Sequence, residues 1–278
     1  RVSAERRVAE HKTGLELTSI TVPEGVQLFQ LKAAGKKYIE IIPYTVTQTD
    51  NPFADKGEQH FERTFWVHKN VGPENKAYVC PKKSLKKACP ICEFIAKEKA
   101  KSDGNEDMAS ALKTSERQLW NVFDHAEPDK GVQLWDVAFW HFGKALDAEV
   151  RDADEDEISK KFYADPEDGS TLKLGVVQDS YNGKTFYKTE TIGFKERKES
   201  LDPELLEKAN DLDKCIRILD YDDLRKEFLQ EGDDDDSDLV VSNGELEDEE
   251  EDEPVAKKSS SRKYDLDDDL CRHALRLL

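Results

Sequence analysis

The 278-residue sequence predicts a mainly β fold with peripheral helices, an α+β protein built on short strands. Three observations carry this expectation. Short apolar and aromatic runs alternate with Gly, Pro and Asn-Gly turn signals from Leu15 to about Phe194. Helical spacing recurs in only a few places. After Glu231 the composition turns abruptly acidic.

The elements follow in chain order. Residues 1–14 are polar and carry Arg1, Arg6, Arg7 and Lys12, which reads as a mobile or partner-dependent basic arm. Val26–Leu31 and Tyr38–Ile42 read as strands on either side of a Gly35 turn, with Pro43 closing the second. Thr64–His68 and Ala77–Cys80 flank Gly72-Pro73, and Leu119–Phe123 and Val132–Phe142 flank Pro128–Gly131. Leu172–Val177 and Lys184–Thr189 flank Asn182-Gly183, a strong hairpin dipeptide. A helix is expected from Pro90 to about Lys101. Asp202 caps another, with Pro203 at its first position and Leu201, Leu205, Ala209 and Leu212 at helical spacing. Tyr221, Leu224 and Phe228 mark a last amphipathic segment. Residues 15–230 are thus expected to form the folded core, with 231–278 as a tail.

Charge is unevenly spread. Hydrophobic and charged residues each make up 37% of the chain, so part of it is expected to be strongly solvated. Residues 231–278 hold 18 acidic and 6 basic side chains, too little apolar area to offset ordering entropy, and are expected to be disordered. Residues 76–101 hold 8 lysines and 2 glutamates, so a local basic patch sits within a chain of net charge −19. No run approaches the roughly 18 apolar residues that span a bilayer, and no membrane association is expected. The chain begins at Arg1 without Met, which reads as a truncated start, and no signal-peptide pattern follows, so secretion is not expected.

Cys89-Pro-Ile-Cys92 is a Cys-x-x-Cys knuckle. Cys80 ends a strand nine residues upstream, and His68 ends the strand before it. Three thiolates and one imidazole match a closed four-coordinate structural zinc site and disfavour calcium or magnesium. His60 stands in reserve as a fourth ligand. The bland reading is a set of buried thiols, for which Pro81–Lys87 offers little apolar cover. Cys215 reads as a core thiol and Cys271 as a tail residue. An enzyme reading pairs His60-Phe-Glu62 with Cys89-x-x-Cys92 as a zinc nucleobase deaminase, although Ala88 stands where that motif has Pro.

Lys82, Lys83, Lys86 and Lys87 lie inside the metal loop, where they serve either as a solvated face or as phosphate neutralisers. Many aromatics sit on or beside predicted strands, Trp120, Trp140, Phe142, Tyr181 and Tyr187 among them. Phe186 and Tyr187 are adjacent, so one of them faces away from any single core. Outward aromatics beside cations on short antiparallel strands suggest an OB-type barrel that binds single strands.

These features together resemble the single-stranded DNA-binding, helix-destabilising proteins of T-even-like bacteriophages. The resemblance spans about Leu15–Phe228 plus the acidic tail. It is carried by the His68, Cys80, Cys89-Pro-Ile-Cys92 order followed by Phe94-Ile-Ala-Lys97, by Leu112–Ser115 ahead of Leu119–Val122, and by Trp140–Gly143. It implies a non-enzymatic OB-fold core with an inserted zinc subdomain at about residues 60–115. That subdomain forms one wall of a basic, aromatic-lined cleft. His68, Cys80, Cys89 and Cys92 are the implied zinc ligands, and Lys113, Trp120 and Trp140 are implied at the DNA. The family further implies self-association along DNA through the N-terminal arm, which Ser3–Arg7 matches in part, and partner binding by the acidic tail. Cys271–Leu278 departs from it in being basic and apolar. The implied setting is DNA replication, recombination and repair in the cytoplasm of an infected bacterial host. An RNA-binding zinc protein or a zinc-knuckle adaptor remain the other readings.

Overall fold

The computed structural model describes residues 15–229 except 52, 73, 102–103, 155–156 and 182. The expected basic arm and acidic tail lie outside the described residues. In chain order the elements are β1 (Leu15–Glu16), β2 (Thr21–Val22), β3 (Gly35–Ile41), β4 (Tyr44–Thr45), β5 (Gln59–His60), β6 (Glu62–Val71) and β7 (Lys76–Val79). Three short helices follow, α1 (Pro81–Leu85), α2 (Pro90–Ala100) and α3 (Glu106–Ala111). Then come β8 (Thr114–Asp124), β9 (Val132–Ala138), a 3-10 turn at Phe139–His141, α4 (Gly143–Arg151), α5 (Ile158–Lys161), β10 (Ser170–Tyr181) and β11 (Lys184–Glu196). The described chain ends in α6 (Pro203–Glu207), α7 (Leu212–Cys215) and α8 (Tyr221–Leu229).

The fold is mainly antiparallel β, as the turn signals predict. Its main sheet runs β11-β10-β3-β8-β6-β7, with β9 also on β8. β8 organises this arrangement. Its residues 117–123 pair with β9, while β6 takes residues 114–120 and β3 takes 122–124. The 3-10 turn after β9 then packs on β11, where His141 stacks on Phe186. Strand alternation sends neighbouring residues to opposite faces, and both faces are covered. Trp120 and Trp135, paired across β8 and β9, enter one core with Ile39, Ile41, Leu172 and Phe142. Leu119 and Leu134, one residue earlier on each strand, enter a second core with Phe65, Val67 and Cys215.

Most expected strands and caps are present. Asp202 caps α6 by accepting from Glu204 N at 2.9 Å. Three expectations are corrected. Val26–Leu31 is no strand and forms no hairpin with β3; it touches β9 through a single parallel bridge, Leu28 to Leu134, because β10 and β8 occupy the edges of β3. The run Val132–Phe142 stops being a strand at Ala138, where the chain turns into α4. The helical run 201–212 breaks in two because buried Asn121 binds the backbone of Asn210: its Nδ2 donates to Asn210 O at 2.8 Å and its Oδ1 accepts from Asn210 N at 3.1 Å. A tertiary contact thus overrides helical periodicity.

Candidate metal centre and basic aromatic surface

The metal group is assembled by one hairpin and two helix starts. His68 lies on β6, opposite Tyr78 of β7 and Thr114 of β8. Immediately after it β6 is irregular, and Asn70 takes a left-handed conformation with φ 59°. Cys80 directly follows β7 and caps α1, its Sγ accepting from Lys83 N at 3.5 Å. Cys89 holds the equivalent position before α2, and Cys92 lies in that helix's first turn. Helix starts present free N–H groups and favour nearby negative charge, which suits thiolates.

The four ligand atoms lie within 4.8 Å of one another. Cys80 Sγ and Cys92 Sγ are 3.4 Å apart; His68 Nε2 is 3.4 Å from Cys89 Sγ and 3.5 Å from Cys92 Sγ. A tetrahedral ion with Zn–S near 2.3 Å and Zn–N near 2.0–2.1 Å spaces neighbouring ligand atoms about 3.5–3.8 Å apart. The observed spacing therefore suits one ion and is far too long for a disulfide, at about 2.05 Å. His68 Nδ1 lies 2.7 Å from Leu112 O. An Nδ1–H donated there leaves the Nε2 lone pair for a metal and fixes the ring's orientation. With Cys89 and Cys92 turned toward it and two backbone N–H groups behind it, Cys80 is held well below the ordinary thiol value, while Cys92 is pushed up. The residues fit a single structural zinc, with soft donors in a closed set.

The sulfurs do have apolar cover, contrary to the expectation from Pro81–Lys87. It comes from Val71, Tyr78, Ile91, Leu112 and Leu224, contributed by other elements. His60 is not among the converging side chains. It lies on β5 with its ring on Phe61 at 4.7 Å, and burial lowers it to about 4. Glu62 turns to Gln118, whose Nε2 donates to Oε2 at 2.7 Å. Cys215 sits in the second core and burial pushes its thiol up to about 12.

The lysines of the metal loop are exposed. Lys82 and Lys83 lie in α1, Lys86 terminates it in the left-handed region at φ 56°, and Lys87 Nζ is 3.7 Å from Asp50 Oδ2. Lys113 is exposed just before β8. The aromatics divide. Trp120 and Phe142 are 1% and 0% exposed and meet edge to face at 5.3 Å, so the structure places them in the core. Both faces of β8 are covered, so Gln118–Val122 are buried in succession, and next to Phe142 the chain comes so close that a Cβ on Gly143 would lie 2.0 Å from Gln118 Oε1. Trp140 is 65% exposed, with Lys144 Nζ 4.1 Å above its ring. Tyr181, at the tip of the β10–β11 hairpin, is 72% exposed. Tyr187 is half-buried against the first core, whereas Phe186 stacks on His141 at 4.8 Å.

Sequence reasoning missed a second cationic group, in which Lys69, Arg117 and Lys188 all bear electrostatically on His141. Each comes from a different element and none belongs to a basic run, so no local signal could have joined them. No family model matches the chain, and a search of curated proteins finds no match to it.

Proposed function

We propose that the chain is a non-enzymatic, sequence-tolerant single-stranded DNA-binding protein with one structural zinc, of the T-even-like phage type. The observation that carries this reading is the pair of exposed aromatics, Trp140 and Tyr181, on a surface supplied with cations. Exposed rings stack on any base, and cations neutralise any phosphate, so such a surface binds strands without reading sequence. Duplex bases are already stacked and offer it only charge.

Strand order supports an OB-type barrel as the scaffold. β3, β8 and β9 are successive neighbours, α4 follows β9, β10 pairs with both β3 and β11, and the turn after β9 meets β11. This order resembles that of a five-stranded Greek-key barrel, although no β9–β11 pairing is present among the described strands; the binding face of such a barrel is framed by its first and fourth interstrand loops. Here the metal-bearing insert lies between β3 and β8, and the Tyr181 hairpin joins β10 to β11. In this reading zinc holds the Lys82–Lys87 loop rigid beside the strand. Coating of strands during replication, recombination and repair in an infected bacterial cell, self-association through residues 1–14, and partner binding by residues 231–278 belong to the same proposal.

Filter binding of poly-dT, poly-U and duplex DNA across a salt series tests it. Poly-dT is expected to bind most tightly, with affinity falling steeply as salt rises. Replacing Lys82, Lys83, Lys86 and Lys87 by Ala is expected to flatten the log–log salt slope by up to roughly 3, at about 0.7 per lost phosphate contact. Preference for poly-U would move the reading to RNA, and equal binding of duplex would end it.

A further inference from the structure

The second cationic group gathers charges that the metal-loop lysines do not include. Lys69 projects from β6, Arg117 from β8 and Lys188 from β11, and all three oppose a proton on His141 in the 3-10 turn. Two carboxylates stand among them. Asp136 of β9 accepts from Arg117 Nε at 2.6 Å, and Asp179 of β10 lies 2.5 Å from Lys188 Nζ. Among the described residues no ion pair forms on Lys69. Arg117 and Lys188 are each paired, and Glu190 also acts on Lys188, but at His141 itself three cations are opposed by one carboxylate, Asp179, and an anion relieves that field.

The aromatic part of the surface is continuous with this group. Asp179 pairs with Phe186 and Val177 with Lys188 across the β10–β11 hairpin, so strand alternation puts Tyr181, Asp179, Phe186 and Lys188 on one face. On that face the His141 imidazole lies over Phe186, 4.8 Å between centroids and 14° between planes. His141 is the one member of the group whose charge ordinarily changes between about pH 5 and 8.

We propose that Lys69, Arg117, His141 and Lys188 form a phosphodiester-binding cluster within the single-strand site, and that His141 takes up a proton when the polyanion enters. This rests on the function proposed above. In the free protein, partial burial and then Arg117, Lys69 and Lys188 hold His141 below the ordinary histidine value, with Asp179 opposing them. Incoming phosphates reverse the sign of the local field and favour the imidazolium. A complex that binds more protons than its free components tightens as pH falls, so affinity rises through the window between the free and bound values.

The test uses the full chain with zinc and a fluorescein-labelled oligo-dT of about 16 nucleotides. Anisotropy titrations between about pH 5.5 and 7.5 are expected to show affinity rising several-fold toward acid, up to about ten-fold for each unit by which binding raises the His141 value. Calorimetry in two buffers of different ionisation enthalpy is expected to show net proton uptake. His141→Gln should lose the pH slope, whereas His125→Gln, whose ring lies on Glu40, should keep it. A slope retained in His141→Gln, or wild-type binding without proton uptake, overturns the proposal. If His141→Gln does not fold, the proton count on the wild type decides alone. No oligo-dT binding at about pH 7.5 would instead overturn the single-strand reading itself.

Discussion

Glu62 is held in an unusual state by its surroundings. Burial first, and then Asp147 of α4 and Glu116 of β8, raise it from 4.5 to about 8, against a hydrogen bond from Thr64. Because the folded value lies above the unfolded one, the folded state keeps a proton that the unfolded state releases. The stability this confers is complete below about pH 4.5 and drains away as pH rises to about 8. Glu62→Gln keeps the neutral shape without the proton. Denaturant titrations should find the variant equal to wild type near pH 4 and more stable by about 2–4 kcal/mol near pH 8. Equal stability at both ends would mean that Glu62 is ordinarily ionised. The metal group offers a second residue-scale test. Elemental analysis is expected to give about one zinc per chain, lost in Cys92→Ser and retained in Cys215→Ser. Metal-free protein, purified reduced, would remove the zinc assignment.

At the scale of elements, the turn between β9 and α4 separates two kinds of aromatic within a few residues. Trp140 stands out from the 3-10 turn with Lys144 over it, while Phe142 is fully buried against Trp120 and Trp135. Under the proposed function the roles follow from exposure. Trp140→Ala and Tyr181→Ala are each expected to weaken oligo-dT binding by about 1–3 kcal/mol with an unchanged melting temperature. Trp120→Ala is expected to cost about 3–5 kcal/mol of stability, since it empties a packed core. A Trp140→Ala variant that melts early would return that ring to the core. The knuckle, the β6–β7, β8–β9 and β10–β11 hairpins and the Asp202 cap were legible because each depends on residues close in sequence. The break at Asn210 was not, because its cause is Asn121, far along the chain on β8.

At the scale of the whole molecule, charge is the organising quantity. Residues 231–278, with 18 acidic and 6 basic side chains, are tethered to a body for which we propose polyanion binding. A tethered competitor acts at millimolar effective concentration. Deleting residues 231–278 is therefore expected to raise affinity for single strands, and most at low salt where screening is weakest; equal affinities at low salt would leave the tail a solubilising segment. The sequence by itself determined the β character, the ligand order His68, Cys80, Cys89, Cys92 and the basic loop between them, because turn chemistry, thiolate spacing and charge runs are local properties. Only the tertiary structure decided which aromatics are core and which are exposed, since alternation gives a strand two faces without saying which is covered. It alone gave the thiols their apolar shell and joined Lys69, Arg117, His141 and Lys188. Those side chains come within electrostatic reach of one another only when β6, β8, β11 and the turn after β9 meet, and no periodicity in the chain encodes that meeting.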